Sequence, residues 1–376
     1  MGYQSEWSDD PRYRLMSNPV VDEDLGRIHE ALPRPDAFAG AILVMTGCAG
    51  FVGFYFLNYL TRYANELGIR KIIGLDTFLL DRPAWLTRLA DERSDILVLR
   101  QFDVSKDAIE DIDGAADARF LVHMASVASP TFYRKYPIET IDANIWGLRR
   151  LLEFYKESTT LNGFLFFSSS EIYGDPDPTS IPTHEDYRGN VSCIGPRACY
   201  DESKRFGETL CYVFARKHGV PITIARPFNS YGPGMRVTDR RVPADFAECV
   251  VAGRDITILS DGAPTRTFCY ITDAINGYLR CLLHGEFDCF NIGIDKPEIS
   301  VARLAQICQK AGREVFGYKG AIRYRGSADN EYLTDNPSRR CPNIRKAREH
   351  LGYDPKIHVE EGVHRYLRYI KHEASS

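Results

Sequence analysis

The feature that most constrains this chain is Gly47-Cys-Ala-Gly50-Phe-Val-Gly53, because it joins a run of apolar strand-formers, Ala41 to Met45, to an apolar helical stretch. Glycine is required where the backbone turns tightly or comes very close to a ligand. In the order strand, glycine turn, helix, the first glycine permits the turn and the second lets the backbone approach a pyrophosphate. That charge then rests at the helix N-terminus. The enclosing segment Ala37 to Leu57 is uncharged and apolar enough to resemble a membrane span. Strand, turn and helix account for it better, as the start of a buried α/β sheet, so no membrane partner is expected.

The alternation continues along the chain. Strand candidates KIIGLD at 71, ILVLRQFD at 96, RFLVHMA at 119, GFLFFSSS at 163 and PITIARP at 221 are separated by amphipathic stretches such as Phe54 to Leu67 and Ile138 to Tyr155. This predicts the α/β class: a Rossmann-type, doubly wound parallel sheet with right-handed crossovers. Residues 1–39 read as an extension, an arm or cap without a convincing period. Residues 40–226 read as the dinucleotide-binding domain, and 227–376 as a mainly substrate-binding region, some of whose strands and helices return to the first domain. FNIG at 290, a helix introduced by Ser300 and the loop DNPSRRCPNI at 335 belong to that last region.

Composition removes several classes of function. With a formal net charge of −4 over 376 residues, the chain offers no overall basic field, so nucleic acid is not an expected partner. Ten cysteines without CxxC spacing read as reduced thiols, which suits the cytoplasm. Met1 to Leu15 are polar and lack the apolar core of a secretory leader, and Glu6 stands where a myristoylation signal needs Ser or Thr. The histidines have no metal-ligand spacing, and no metal is expected.

Asp76 ends the second strand, about 20 residues beyond the glycine turn, where a carboxylate can accept hydrogen bonds from an adenosine ribose. It also repels a 2′-phosphate, which favours NAD over NADP. Asp103 closes the third strand and either reaches the adenine or caps a turn. Tyr200 and Lys204 in YDESK share one helix face, and an ammonium beside a phenol is expected to lower the phenol's pKa. Tyr-x-x-x-Lys is a common pattern, but SSSEIYG at 168–174 lies at the C-terminal end of the fifth strand, where doubly wound folds bind ligands. Ser169 can then bond the same hydroxyl as Tyr200, and Glu171 is a second acid or base.

These motifs, with HEDYRGNVSCIGPRACYDESKR (184–205), RPFNSYGP (226–233), RVPADF (241–246) and RRCPNIRKAREHLGY (339–353), resemble the extended short-chain dehydrogenase/reductase family and, within it, the UDP-glucuronate decarboxylases. The resemblance covers about residues 41 to 372. It implies an NAD-dependent enzyme on a nucleotide sugar, with Ser169, Glu171, Tyr200 and Lys204 catalytic. Gly47, Gly50, Phe51, Val52, Gly53, Asp76, Asp103, Val104 and Ala125, with Tyr200 and Lys204, would then bind the cofactor. Ser126, Tyr133, Ser170, Asn229, Arg241, Arg266 and Arg340 would bind substrate. A homodimer is implied, built from the helices around 138–156 and 199–217 through Ile141, Ile145, Leu148, Leu152, Leu210, Val213 and Phe214. A 4,6-dehydratase or 4-epimerase shares the first chemical step, and a catalytically inactive NAD-binding scaffold is the remaining alternative. Val127, Gly234 and LLDRP (79–83) depart from the usual decarboxylase pattern near the cofactor and sugar pockets.

Overall fold

The computed structural model describes residues 18–236, 240–326 and 337–375. Residues 1–17 of the extension, the centre of the loop that carries Arg236, Arg240 and Arg241, and the start of DNPSRRCPNI lie outside them. β1 (Ile42–Thr46), β2 (Lys71–Asp76), β3 (Leu97–Gln101), β4 (Phe120–His123), β5 (Gly163–Phe167) and β6 (Ile222–Pro227) are joined by the strand Asp288–Ile292. They form one seven-stranded parallel sheet in the order Asp288–Ile292, β6, β5, β4, β1, β2, β3. β1 and β5 are buried at every position, which explains their unbroken apolar runs: helices cover both faces. The chain order reverses between β1 and β4, which places a crevice above their carboxyl ends.

The expected elements appear, with two corrections. The segment read as one helix over 138–155 is the helix Pro137–Ile141, a π-helical turn Asp142–Gly147 and the helix Leu148–Tyr155. A Cβ on Gly147 would lie 2.4 Å from the Val104 side chain, so the helix is wedged tightly against the loop after β3. The extension is likewise more than an arm. Asn18 caps α1 (Pro19–Glu30) by accepting a hydrogen bond from the Val20 amide. Val21, Leu25 and Ile28 of α1 belong to the main core. α1 packs on the helices Ile271–His284 and Val359–Ser375 and on α2 (Phe51–Arg62).

Candidate active site

The glycine turn has the close packing its sequence implies. Gly47 has φ +71°, and a Cβ there would lie 2.6 Å from the Ala125 amide nitrogen. A Cβ on Gly53 would lie 2.2 Å from the Cys48 carbonyl oxygen. α2 therefore starts directly against the carboxyl end of β1, its first amides open to a ligand. Asp76 reaches back to this turn, accepting hydrogen bonds from the Ala49 amide (2.9 Å) and the Phe78 amide (2.8 Å). Burial raises its pKa, while those amides oppose the rise. Each carboxylate oxygen keeps a lone pair for a further donor.

Asp103 is a turn cap. Its Oδ1 accepts from the Ser105 amide and hydroxyl and its Oδ2 from the Lys106 ammonium, and it also lines the cleft that runs past the glycine turn. Gly47, Gly50, Phe51, Val52, Gly53, Asp76, Asp103, Val104 and Ala125 all line this cleft of about 1700 Å³, as do Ser126, Tyr133, Ser169, Ser170, Glu171, Tyr200, Lys204, Asn229, Arg241, Arg266 and Arg340. Pockets for one drug-sized ligand measure about 300–1,000 Å³, so this cleft has room for two.

Tyr200 lies in the first turn of the helix Ala198–His218 and Lys204 one turn further. The Lys204 ammonium donates to the Phe167 carbonyl (2.7 Å), fixing the helix to the end of β5, and lies 5.8 Å from the Tyr200 ring centroid. Burial pushes Tyr200 up to about 12, against a hydrogen bond from Ser169 that pulls it back, and pushes Lys204 down to about 7. The expected downward pull of the ammonium is not among the main influences on the phenol, whose pKa rises because desolvation disfavours its charged form, as it does that of Lys204. Ser169 caps the short turn Ser170–Tyr173 by accepting from the Glu171 amide (3.2 Å).

Glu171 is gripped from two sides. Arg340 donates both terminal nitrogens to it in a bidentate pair (2.6 Å each), and Arg197 donates a third bond. Burial raises the carboxyl's pKa, yet the two guanidiniums overcome it and hold the group well below the usual carboxylate range. Arg340 arrives here because the strand Arg339–Arg340 pairs in parallel with Thr265–Arg266, setting Arg340 opposite Arg266. Burial, with the adjacent Arg340 charge, lowers Arg266 to about 9, and its guanidinium donates to the Thr265 and Ser338 carbonyls. The Asn229 side-chain amide donates to the Thr267 carbonyl (3.0 Å). Arg241 lies over the Phe51 ring, 5.6 Å from its centroid.

Tyr133 stacks on Tyr200, with ring centroids 5.1 Å apart and planes 14° apart. Its hydroxyl, like that of Ser126, is buried without a hydrogen-bond partner. Two residues missing from the sequence-derived set join the cluster: Arg197, just before the catalytic helix, and Asp201, next to Tyr200. Their position within one turn of Tyr200 was the available signal.

A doubly wound sheet with a glycine turn against Asp76, and Ser169, Tyr200 and Lys204 near the carboxyl end of β5, defines a dinucleotide-binding scaffold of the short-chain dehydrogenase type. A profile of the NAD dependent epimerase/dehydratase family matches residues 43–293, and the chain belongs to that family. Within it the chain is 32% identical over 331 residues to UDP-glucuronic acid decarboxylase 1 of Xenopus tropicalis, covering 88% of this chain and 72% of the relative. It is 33% identical to UDP-glucuronic acid decarboxylase 6 of Arabidopsis thaliana, covering 85% and 86%. In fold it is similar to UDP-glucose 4-epimerase of Thermotoga maritima, solved with UDP-glucose (TM-score 0.74, 24% identity, 89% and 99% covered). It is also similar to UDP-glucuronic acid 4-epimerase of Bacillus cereus, solved with UDP-glucuronic acid and NAD (TM-score 0.68, 24% identity, 88% and 99% covered).

Proposed function

We propose that this chain decarboxylates UDP-glucuronate, using NAD catalytically, to give UDP-xylose or its 4-keto precursor. The observation that carries this reading is the charge around Glu171. Buried Arg197 and Arg340 both bond the half-buried Glu171, and the buried Asp201 beside them is pushed up to about 7, so its charge only partly balances theirs. Buried charge without compensation is costly. A uronate carboxylate supplies the missing negative charge, whereas a neutral hexose does not. The decarboxylase relatives support the same conclusion.

The residues around the glycine turn fit NAD, since Gly47 and Gly53 leave no room for a Cβ, the N-terminus of α2 faces the cleft, and Asp76 beside the turn is a carboxylate able to meet a ribose. NAD, when bound, supplies a two-electron acceptor for the sugar's C4 and returns those electrons at the end of the cycle. In this reading Tyr200 removes the C4 hydroxyl proton while Ser169 bonds that hydroxyl. The new ketone is β to the C6 carboxylate, so CO₂ departs into an enolate, and the Glu171 carboxylate orients a solvent water from which C5 takes its proton. Asn229, Arg241 and Arg266 hold the diphosphate, arginine meeting phosphate oxygens bidentately. Ser126, Tyr133 and Ser170 meet the sugar, while Phe51, Val52, Val104 and Ala125 wall the cofactor. Residues 40–226 thus serve mainly the cofactor and 227–376 mainly the substrate.

We also infer a homodimer. Of the sequence-derived face, Leu148, Leu152 and Phe214 are buried in their own chain, Ile141, Ile145 and Leu210 are half-buried and Val213 is exposed, with Ile138, Trp146, Phe206 and Tyr212 exposed on the same helices. The decisive experiment for function incubates the protein and NAD with a panel of nucleotide sugars and follows product mass. Loss of CO₂ from UDP-glucuronate is the expected result. Conversion of a neutral nucleotide hexose with no CO₂ from UDP-glucuronate overturns the reading in favour of a dehydratase or epimerase.

A further inference from the structure

Two buried groups beside Glu171 have no task in the chemistry above. Arg197 precedes the helix Ala198–His218, and its carbonyl accepts from the Tyr200 and Asp201 amides (3.0 Å each). One end of its guanidinium bonds Glu171. Its Nε lies 3.6 Å from an Asp201 oxygen, is buried and has no hydrogen-bond partner. The guanidinium also lies 5.9 Å from the centroid of the Tyr133 ring, which in turn stacks on Tyr200. The second Asp201 oxygen is buried without a partner. Arg197 therefore touches the proposed proton-handling carboxylate, a second carboxylate and the ring that backs the base.

Arg340 cannot serve two carboxylates unchanged. Both of its terminal nitrogens are spent on Glu171, and its own Nε is buried and unpaired. A sugar carboxylate that draws on this fork takes it partly from Glu171. Unless another cation stays on Glu171, a buried charge is then left uncompensated. Arg197 is that cation, and its short tether to the start of the helix keeps it in place.

Resting on the decarboxylase reading, we propose that Arg197 and Asp201 are a positioning pair: Arg197 keeps Glu171 oriented and charged while Arg340 turns to the substrate carboxylate, and Asp201 anchors Arg197. The groups facing Glu171 are Arg340 and Arg266 on the paired strands, Arg197 and Asp201 at the helix start, Tyr200 one residue before Asp201, and Tyr133 on the helix Pro130–Lys135. Asp201 is faced by Glu171, Arg197, Arg340, Tyr133 and Tyr200. Burial first, then the Glu171 charge, raises Asp201 to about 7, and Arg197 opposes that rise. Asp201 is thus increasingly protonated below neutrality.

Two measurements test the pair. Infrared difference titration of the substrate-free protein should show a carboxyl titrating near 7, above Asp273, which burial raises to about 6, and this component should be absent in Asp201→Asn. Glu171→Gln should move it to lower pH and Arg197→Met to higher pH, each by about one unit, or tenfold in proton affinity. Persistence of the titration in Asp201→Asn, or no movement in Glu171→Gln, overturns the coupling. With UDP-glucuronate, Arg197→Met should lower kcat for CO₂ release about tenfold or more with little change in KM, the split expected of a group that acts in the transition state. Arg197→Lys should restore part of the loss. A raised KM at unchanged kcat makes Arg197 a binding residue and overturns its positioning role. The isosteric Asp201→Asn and the Lys variant keep the test intact if Arg197→Met does not fold. The titration needs no substrate, so it separates failure of the pair from failure of the decarboxylase reading.

Discussion

Glu171 owes its low pKa to its neighbours, since burial raises it and two guanidiniums more than reverse that rise. Its substitution is therefore a sharper probe than most. Glu171→Gln should slow CO₂ release by about 10²-fold or more, the usual range for a lost general acid or base, while substrate affinity measured calorimetrically stays close to wild type. Tyr200→Phe should cost about 10²–10⁴-fold in C4 oxidation and leave NAD affinity nearly unchanged, because it removes only the hydroxyl. Wild-type turnover in that variant would remove Tyr200 from the chemistry. Ser169, Tyr200 and Lys204 were legible in the sequence because each sits at a fixed offset from a strand end or on one helix face. The grip on Glu171 was not, because Arg340 lies 169 residues away and reaches it only through a strand pairing that no local pattern announces. Arg197 and Asp201 were passed over because a charged residue beside a helix start reads as solvated until its burial is known.

At the scale of elements, the glycine turn shows how sequence dictates approach distance. Gly53 is helical and needs no unusual φ; its requirement is space, since a Cβ would lie 2.2 Å from the Cys48 carbonyl oxygen. Gly53→Ala should therefore push α2 away from β1, destabilise the protein by about 1–3 kcal/mol as overpacking does, and weaken NAD binding. Thermal unfolding with and without NAD checks both effects, and an unchanged NAD-dependent shift would contradict the link between this packing and the cofactor. The strands were legible because a parallel sheet covered on both faces demands unbroken apolar runs. The π-helical turn was not, because the apolar spacing over Ile138 to Tyr155 is continuous and the interruption comes from packing of Gly147 on Val104. The dimer positions shifted for a related reason: Leu148 and Leu152 complete the chain's own core, leaving Ile138 and Trp146 on the outer face.

For the whole molecule, the proposed pairing of two copies and the closure of one copy on itself make separate predictions. Phe206 is exposed on the helix Ala198–His218, and Phe206→Glu should shift a wild-type dimer toward monomer by sedimentation velocity; a monomeric wild type at micromolar concentration would refute the homodimer. The closure rests on α1, part of the residues 1–39 whose lack of a convincing period made them read as an arm or cap. Asp24, fully buried, accepts hydrogen bonds from the Tyr55 hydroxyl (2.7 Å), the Tyr270 hydroxyl (2.7 Å) and the Arg365 guanidinium (2.7 Å). These partners lie on α2, next to the helix Ile271–His284, and on the helix Val359–Ser375, so one carboxylate ties the start of the described chain to its last helix. Burial raises the Asp24 pKa and the Arg365 charge opposes it, so the pair depends on both members. Asp24→Ala leaves Arg365, whose side chain is 7% exposed, buried without its main counter-charge, and should destabilise the protein by about 3–5 kcal/mol. Replacing Asp24 and Arg365 together with apolar residues of similar volume should recover much of that loss, since two missing charges cost less than one stranded charge. Chemical denaturation of both variants decides the matter, and a single-variant loss of under about 1 kcal/mol, the worth of an exposed pair, would mean that α1 is not held by this network.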